Sequence, residues 1–153
     1  MYALLALMFG ITFNMHAQTY CTSVGPTSTA DSEIRDVYLS GDNYGISNPT
    51  SCPGVLGLRD FTSVDSADLS QGTSYNLEAL LSTCGGVYTA FARAWIDFNG
   101  DGDFTDANEE LGSWGPLPPA ASGSTVRNLN FGFTVPLNAT LGRTRLRVML
   151  REG

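Results

Sequence analysis

The chain has 153 residues and a formal net charge of −7, and it contains no lysine, so all eight basic side chains are arginines. This length is enough for one domain with a hydrophobic core. An acidic chain without a basic patch argues against nucleic acids and anionic membranes as partners.

The first eighteen residues are nearly all apolar or small. This pattern predicts a secretory signal peptide over residues 1–18 and a mature domain over residues 19–153. A membrane anchor is the alternative, but Asn14, His16 and Gln18 cut the apolar run below the length of a membrane span. We therefore expect a secreted or cell-surface protein with no membrane span in its mature form.

The only histidine is His16, which lies inside the predicted signal peptide. A mature domain without histidine excludes Ser-His-Asp and Cys-His catalysis and nearly all zinc enzymes. The sequence therefore predicts a protein that is not an enzyme. A carboxylate-based hydrolase is the remaining catalytic alternative, because the spacing of the acidic residues does not rule out a pair of catalytic carboxylates.

Three cysteines are present, and an exported protein is expected to pair them where geometry permits. Cys52 with Cys84 is the predicted disulfide, because Cys21 lies beside the loose end of the mature chain. Cys21 with Cys52 is the alternative. The remaining cysteine is then free or paired outside this chain.

Turn-forming residues punctuate the chain about every ten residues, a spacing typical of short antiparallel strands. The segment Tyr75–Leu81 also suits a short helix, because its leucines fit helical spacing as well. The pattern predicts an all-β antiparallel sandwich of the jelly-roll or immunoglobulin-like kind, with few or no helices after the signal peptide. The candidate strands are Ile34–Leu39, Val55–Phe61, Tyr75–Leu81, Val87–Phe98, Leu129–Val135 and Thr144–Leu150.

The segment Val87–Phe98 has the clearest strand pattern. Its even-numbered residues are all apolar, and Phe91 and Trp95 stand on the opposite face. A strand that is covered on both faces is expected to be central in its sheet. The chain stops soon after the strand at Thr144–Leu150, from which we expect that a closing partner strand is missing.

An acidic loop follows this strand and has the pattern of a calcium-binding loop. Oxygen-bearing side chains recur at Asp97, Asn99, Asp101 and Asp103, and Gly102 stands where the backbone of such a loop must turn. No basic residue lies between Asp97 and Glu110 to neutralise these charges. The sequence therefore predicts a Ca²⁺ site at the end of a strand. The alternative is an acidic hairpin tip whose Asn-Gly and Asp-Gly pairs serve only the turn.

The ligand that closes this predicted site is open. Asn108 stands where an EF-hand loop carries its bidentate glutamate, and Glu109 comes one residue later. Asp106 and Glu109 are the candidates for the closing ligand. The loop is therefore not a close EF-hand.

Two further features carry alternative functions. Three arginines alternate along the chain at Arg143, Arg145 and Arg147. They could bind an anionic ligand, or they could form a solvated strand face that pairs with neighbouring carboxylates. Trp114 stands among glycines and a proline, which predicts a loop. An exposed tryptophan there could stack on sugar rings, which makes carbohydrate binding an alternative function. The other interpretation is that Trp114 packs against the edge of the core.

Three blocks of sequence resemble the GEVED domain: Tyr20-Cys21 after the signal peptide, residues 95–106 with Glu109, and the arginine-rich segment 142–148. The family is named for a Gly-Glu-Val-Glu-Asp motif after the arginine-rich strand, which this chain does not reach. The resemblance implies a β-sandwich module of large secreted or surface proteins, especially of Bacteroidetes. It implies no known catalytic activity.

From the residues and this resemblance together, we expect a non-catalytic extracellular accessory or adhesion module of a larger exported protein, stabilised by Ca²⁺. Its expected partners are the other domains of the same polypeptide, and a glycan or surface protein is a further possibility.

Overall fold

The computed structural model describes residues 20, 31–50, 58–86, 88–117 and 127–153. The predicted signal peptide, Cys21 and Cys52 lie outside these ranges, within which no helix has the length and hydropathy to cross a membrane. The strands of the described ranges are β1 (Ser32–Leu39), β2 (Ile46–Ser47), β3 (Ser74–Thr83), β4 (Ala90–Ile96), β5 (Glu110–Leu117), β6 (Arg127–Thr134) and β7 (Leu146–Glu152).

The strands form two antiparallel sheets. One sheet has the order β2-β1-β3-β6 and the other has the order β5-β4-β7. No helix occurs among the described residues, and the predicted all-β sandwich is confirmed. Apolar side chains from both sheets meet in one core, which excludes water and supplies the main stabilisation of the fold. Its buried members are Leu39, Leu77, Ala79, Leu81, Ala92, Ala94, Leu129 and Phe131.

The predicted strands β3 and β4 are confirmed with shifted ends. The segment that also suited a helix is strand β3, because Leu77, Ala79 and Leu81 alternate onto the buried face between β1 and β6. Strand β4 is central in its sheet, as predicted, with β5 on one side and β7 on the other. It is shorter than predicted, and the acidic loop begins directly after Ile96.

One prediction about local structure is wrong, and a second is wrong for those of its residues that the structure describes. Trp114 lies in strand β5 and not in a loop, because β5 is at an edge of its sheet, where register shifts accommodate glycine and proline. The prediction of a strand at Val55–Phe61 falls partly outside the described residues, and Leu58–Phe61 forms no strand. Leu58 is exposed there, so this apolar residue does not mark the buried face of a strand.

Asp68 fixes the connection between β1 and β2. Its Oδ1 atom accepts hydrogen bonds from the backbone N–H groups of Asn43 (2.9 Å) and Tyr44 (3.0 Å). Its Oδ2 atom accepts a third hydrogen bond from Asn43 Nδ2, at 2.5 Å. These bonds, with the one from Tyr44 N–H first, lower the pKa of Asp68 to about 2.

We expect Asp68→Asn to destabilise the fold near neutral pH, because a neutral amide replaces the anionic acceptor. The pKa of Asp68 is lowered in the folded state, so its ionised form stabilises the fold above pH 3.8, and this contribution is lost as the pH falls through about 2. Urea unfolding midpoints of wild type and variant should therefore converge as the pH is lowered over this range. A difference between the midpoints that does not change with pH would contradict this account.

Candidate metal centre

The acidic loop joins β4 to β5 and is anchored at its start by an aromatic side chain. Phe98 is buried together with Ile96 and Val135, in a cluster at the end of the core nearest the loop. Its ring lies 6.2 Å from that of Phe133, centroid to centroid. The loop therefore leaves the sheet from a packed base.

Asp97 is fully buried and organises the loop from inside. Its Oδ1 atom accepts a hydrogen bond from the N–H group of Gly100 at 2.6 Å, and its Oδ2 atom accepts one from Gly102 at 3.0 Å. The hydroxyl of Tyr20 donates a third bond to Oδ2, at 2.7 Å. A buried carboxylate must be satisfied in this way, because transferring it from water without partners costs several kcal/mol.

Tyr20 packs over the loop from a position 77 residues earlier in the chain. Its ring lies 5.6 Å from that of Phe104, and the guanidinium of Arg145 stands over it at 4.6 Å. Burial raises the pKa of the Tyr20 phenol to about 12, with a further contribution from the Asp97 carboxylate. The phenol is therefore a hydrogen-bond donor to Asp97 at any physiological pH.

The odd-numbered residues of the loop form a run of short turns. In each turn a side-chain oxygen accepts a hydrogen bond from the N–H group two residues later. The Oδ1 atom of Asn99 accepts from Asp101 at 2.9 Å, that of Asp101 from Asp103 at 3.0 Å, and that of Asp103 from Thr105 at 2.8 Å. Gly102 has a φ of 98°, which glycine adopts without strain.

These turns bring three exposed carboxylates together. One oxygen from each of Asp101, Asp103 and Asp106 lies within 4.8 Å of the other two. The Nδ2 group of Asn99 donates hydrogen bonds to Asp101 Oδ2 and Asp106 Oδ2, both at 2.9 Å. A partial positive charge therefore already stands between two of these carboxylates.

Glu109 closes the loop from beneath. Asn108 adopts a φ of 73°, a left-handed conformation that asparagine tolerates better than most residues. The Glu109 side chain is 2% exposed, and its Oε1 atom accepts a hydrogen bond from the N–H group of Phe98 at 2.9 Å. Its Oε2 atom is buried and has no hydrogen-bond partner among the described residues. Burial raises the pKa of this carboxyl, and the charge of Asp97 adds to the shift.

The predicted ligands thus occupy two layers of the loop. Asp97 and Glu109 are buried, whereas Asp101, Asp103 and Asp106 form the exposed cluster and Asn99 bridges two of its members. Asp97 already accepts three hydrogen bonds, and a carboxylate offers about four acceptor positions. The assignment of these six residues as metal ligands stays a prediction.

The sequence also predicts a disulfide and a role for Trp114, and neither belongs to the acidic loop. Cys84 is disulfide-bonded, and because Cys21 and Cys52 lie outside the described residues, the choice between the predicted pairings stays a prediction. Trp114 is 45% exposed on β5, so it does not plug the core.

Sequence reasoning did not identify several residues that hold the loop. Tyr20 was noted only in the resemblance, and Phe104 was not singled out. Thr140 donates from Oγ1 to the carbonyl of Asn99 at 2.6 Å, and Thr144 donates from Oγ1 to the carbonyl of Asp97. These contacts join residues more than 40 positions apart, so no local pattern signals them.

We expect Tyr20→Phe to lower the free energy of unfolding by about 1.5–3 kcal/mol, the usual contribution of a hydrogen bond to a charged group. The variant keeps the ring and removes only the hydroxyl that bonds the buried Asp97 carboxylate. Urea unfolding measures the change. The matched control is Tyr44→Phe, since Tyr44 is exposed and the change should cost almost nothing. Equal stability of the two variants would show that the bond to Asp97 contributes little.

Comparison with known proteins finds one match, to a family model, over the second part of the chain. No curated protein and no solved structure matches the chain. The predicted resemblance is confirmed for the part that carries β4, the acidic loop and the strands that follow: residues 91–153 match the family model of the GEVED domain.

Proposed function

We propose that this chain is a non-catalytic accessory or adhesion module of a larger exported protein, and that its acidic loop binds Ca²⁺. The family match over residues 91–153 is compatible with an accessory module. The module would act outside the cell, and its partners would be the other domains of the same polypeptide together with a glycan or surface protein. No residue is assigned a catalytic role.

The calcium proposal rests on one observation: the loop combines a buried carboxylate oxygen that has no described hydrogen-bond partner with a cluster of like charges. Glu109 Oε2 is buried without a hydrogen-bond partner among the described residues, and the same loop holds three clustered carboxylates. Hard oxygen donors are what Ca²⁺ prefers in proteins. No lysine or arginine occurs in the segment 97–110, so a cation would relieve both the orphaned oxygen and the repulsion between the carboxylates.

The residues divide into those that would hold the ion and those that orient the loop. Asp101, Asp103 and Asp106 would hold it, and Asn99 and Glu109 could supply further oxygens. Asp97 would act chiefly through its bonds to the loop backbone, while retaining room for one more contact. The bound ion would supply charge neutralisation and a cross-link between the two ends of the loop.

We expect added Ca²⁺ to raise the melting temperature of the mature domain and EGTA to lower it. At a free Ca²⁺ concentration ten times the Kd, binding stabilises the folded state by about 1.4 kcal/mol. This corresponds to roughly 5 °C for a domain of this size. Thermal melts followed by circular dichroism, with Mg²⁺ in a parallel series, measure the effect. A melt that is the same in Ca²⁺ and in EGTA would refute the proposal.

The matched variants are Asp103→Asn and Glu110→Gln. Each removes one negative charge, the first inside the carboxylate cluster and the second outside it. Asp103 belongs to the carboxylate cluster, whereas Glu110 lies just beyond the loop at the start of β5. Only Asp103→Asn should reduce the response to Ca²⁺. In EGTA the same variant should be at least as stable as wild type, because one of the repelling carboxylates is gone. An equal loss of response in both variants would point to a general effect of charge.

Carbohydrate binding at Trp114 is the second candidate function, and the exposure of this side chain favours it. Trp114 is 45% exposed on an edge strand, where a sugar ring could stack on its indole. Under this alternative, glycan-array binding should be lost in Trp114→Ala and kept in Tyr44→Ala, a control at another exposed aromatic residue. Binding that survives Trp114→Ala would exclude this residue as the contact.

A further inference from the structure

The outer face of the β5-β4-β7 sheet combines arginines with large apolar side chains. On β4 the buried residues Ala92, Ala94 and Ile96 alternate with residues that point outward, and β7 alternates in the same way. Strand register sets Phe91 opposite Arg151, Arg93 opposite Met149, and Trp95 opposite Arg147. We call these six residues the arginine–aromatic face.

Ring stacking orders the guanidinium groups of this face. Arg151 lies over the ring of Phe91 at 5.2 Å, and Arg147 lies over the ring of Phe104 at 4.7 Å. A stacked guanidinium keeps its N–H groups in its own plane, where they bond a planar or tetrahedral anion in a bidentate manner. Less side-chain entropy is then lost when an anion binds, because the arginines are already held in place.

The positive charges of Arg93 and Arg151 are only weakly compensated by carboxylates of the described residues. Arg93 lies 3.7 Å from Glu110, a long and solvent-exposed ion pair, and its side chain is 55% exposed. No carboxylate of the described residues comes within ion-pair distance of Arg151. Three of the eight arginines lie on this one sheet face, although the protein has a net charge of −7.

We propose that the arginine–aromatic face binds an acidic polysaccharide, one that carries sulfate or uronate groups. Sulfate and carboxylate groups pair with the guanidinium edges, while the apolar faces of the sugar rings cover Trp95 and Met149, of which Met149 is 45% exposed. Arg147 and Arg151 lie four residues apart on one strand, about 13 Å, which suits charges repeated along a polymer.

A polysaccharide fits this face better than an acidic peptide does. Peptides that bind β-sheets mostly add a strand and use free backbone groups at an edge. The face described here offers side chains, because the backbone groups of its strands point within the plane of the sheet and those of β4 pair with β5 and β7. The proposal goes beyond the calcium proposal and does not depend on it, since no residue of the face belongs to the carboxylate cluster.

Titration calorimetry with dextran sulfate, polygalacturonate and unmodified dextran tests the proposal on the whole mature chain. We expect one or both of the charged polymers to bind, with an affinity that falls as NaCl is added, and unmodified dextran not to bind. Which charged polymer binds distinguishes sulfate from uronate as the recognised group. Poly-L-glutamate serves as the acidic-peptide probe. The proposal would be overturned if this probe bound and neither charged polysaccharide did.

The decisive variants are Arg151→Gln and its matched control Arg59→Gln. Both remove one guanidinium that is stacked on a phenylalanine, but Arg59 lies over Phe61, outside the sheet. Arg151→Gln should weaken polymer binding about ten-fold, by the loss of one charge-assisted contact, and Arg59→Gln should leave it unchanged.

Two further variants complete the test. Arg151→Lys should bind more weakly than wild type, because a lysine keeps the charge and loses the bidentate contact. Arg93→Gln serves as a second variant of the face if Arg151→Gln does not fold. The proposal is overturned if neither charged polysaccharide binds, or if Arg59→Gln reduces the affinity as much as the variants of the face do.

Discussion

The arrangement of the acidic loop depends on one buried anion, the carboxylate of Asp97. A fully desolvated carboxylate costs several kcal/mol unless donors surround it, and here the donors are Gly100, Gly102 and Tyr20. Its own backbone N–H group bonds the carbonyl of Arg145 at 3.1 Å. Through this single residue the end of β4, the turns of the loop, the segment before β7 and Tyr20 are held together.

This constraint divides the acidic residues of the loop into two kinds. Asp97 and Glu109 are buried and bond backbone N–H groups, so their first role is to give the loop its shape. Asp101, Asp103 and Asp106 then stand outside with their charges close together, and the amide of Asn99 offsets only part of that repulsion. A hard cation would neutralise the charge concentrated on the exposed side, and the hydrogen bonds of the inner layer fix the loop backbone that carries it.

The two faces of β4 have different consequences for function. One face carries small residues such as Ala92 and Ala94, which are buried in the core between the two sheets. The other face carries Phe91 and Trp95, and the arginines of β7 lie against it from the neighbouring strand. The same strand pairing that completes the sandwich therefore also concentrates positive charge on an acidic protein. Arg145 lies outside this face, because it stacks on Tyr20 and pairs with Asp60 at 3.8 Å.

Local patterns in the sequence were sufficient for the class of fold, the central position of β4 and the start of the acidic loop. Each of these depends on alternation or spacing over a few residues, which the chain carries directly. The edge strand β5 was missed because its glycines and proline are tolerated only at a sheet edge with register shifts, and that is a property of its neighbours. Only the tertiary structure could separate Asp97 and Glu109 from the exposed carboxylates, and only it could bring Tyr20 to Asp97 or Arg151 to Phe91. These contacts join residues far apart in the chain, and their strength comes from burial and ring stacking that exist only once both sheets have formed.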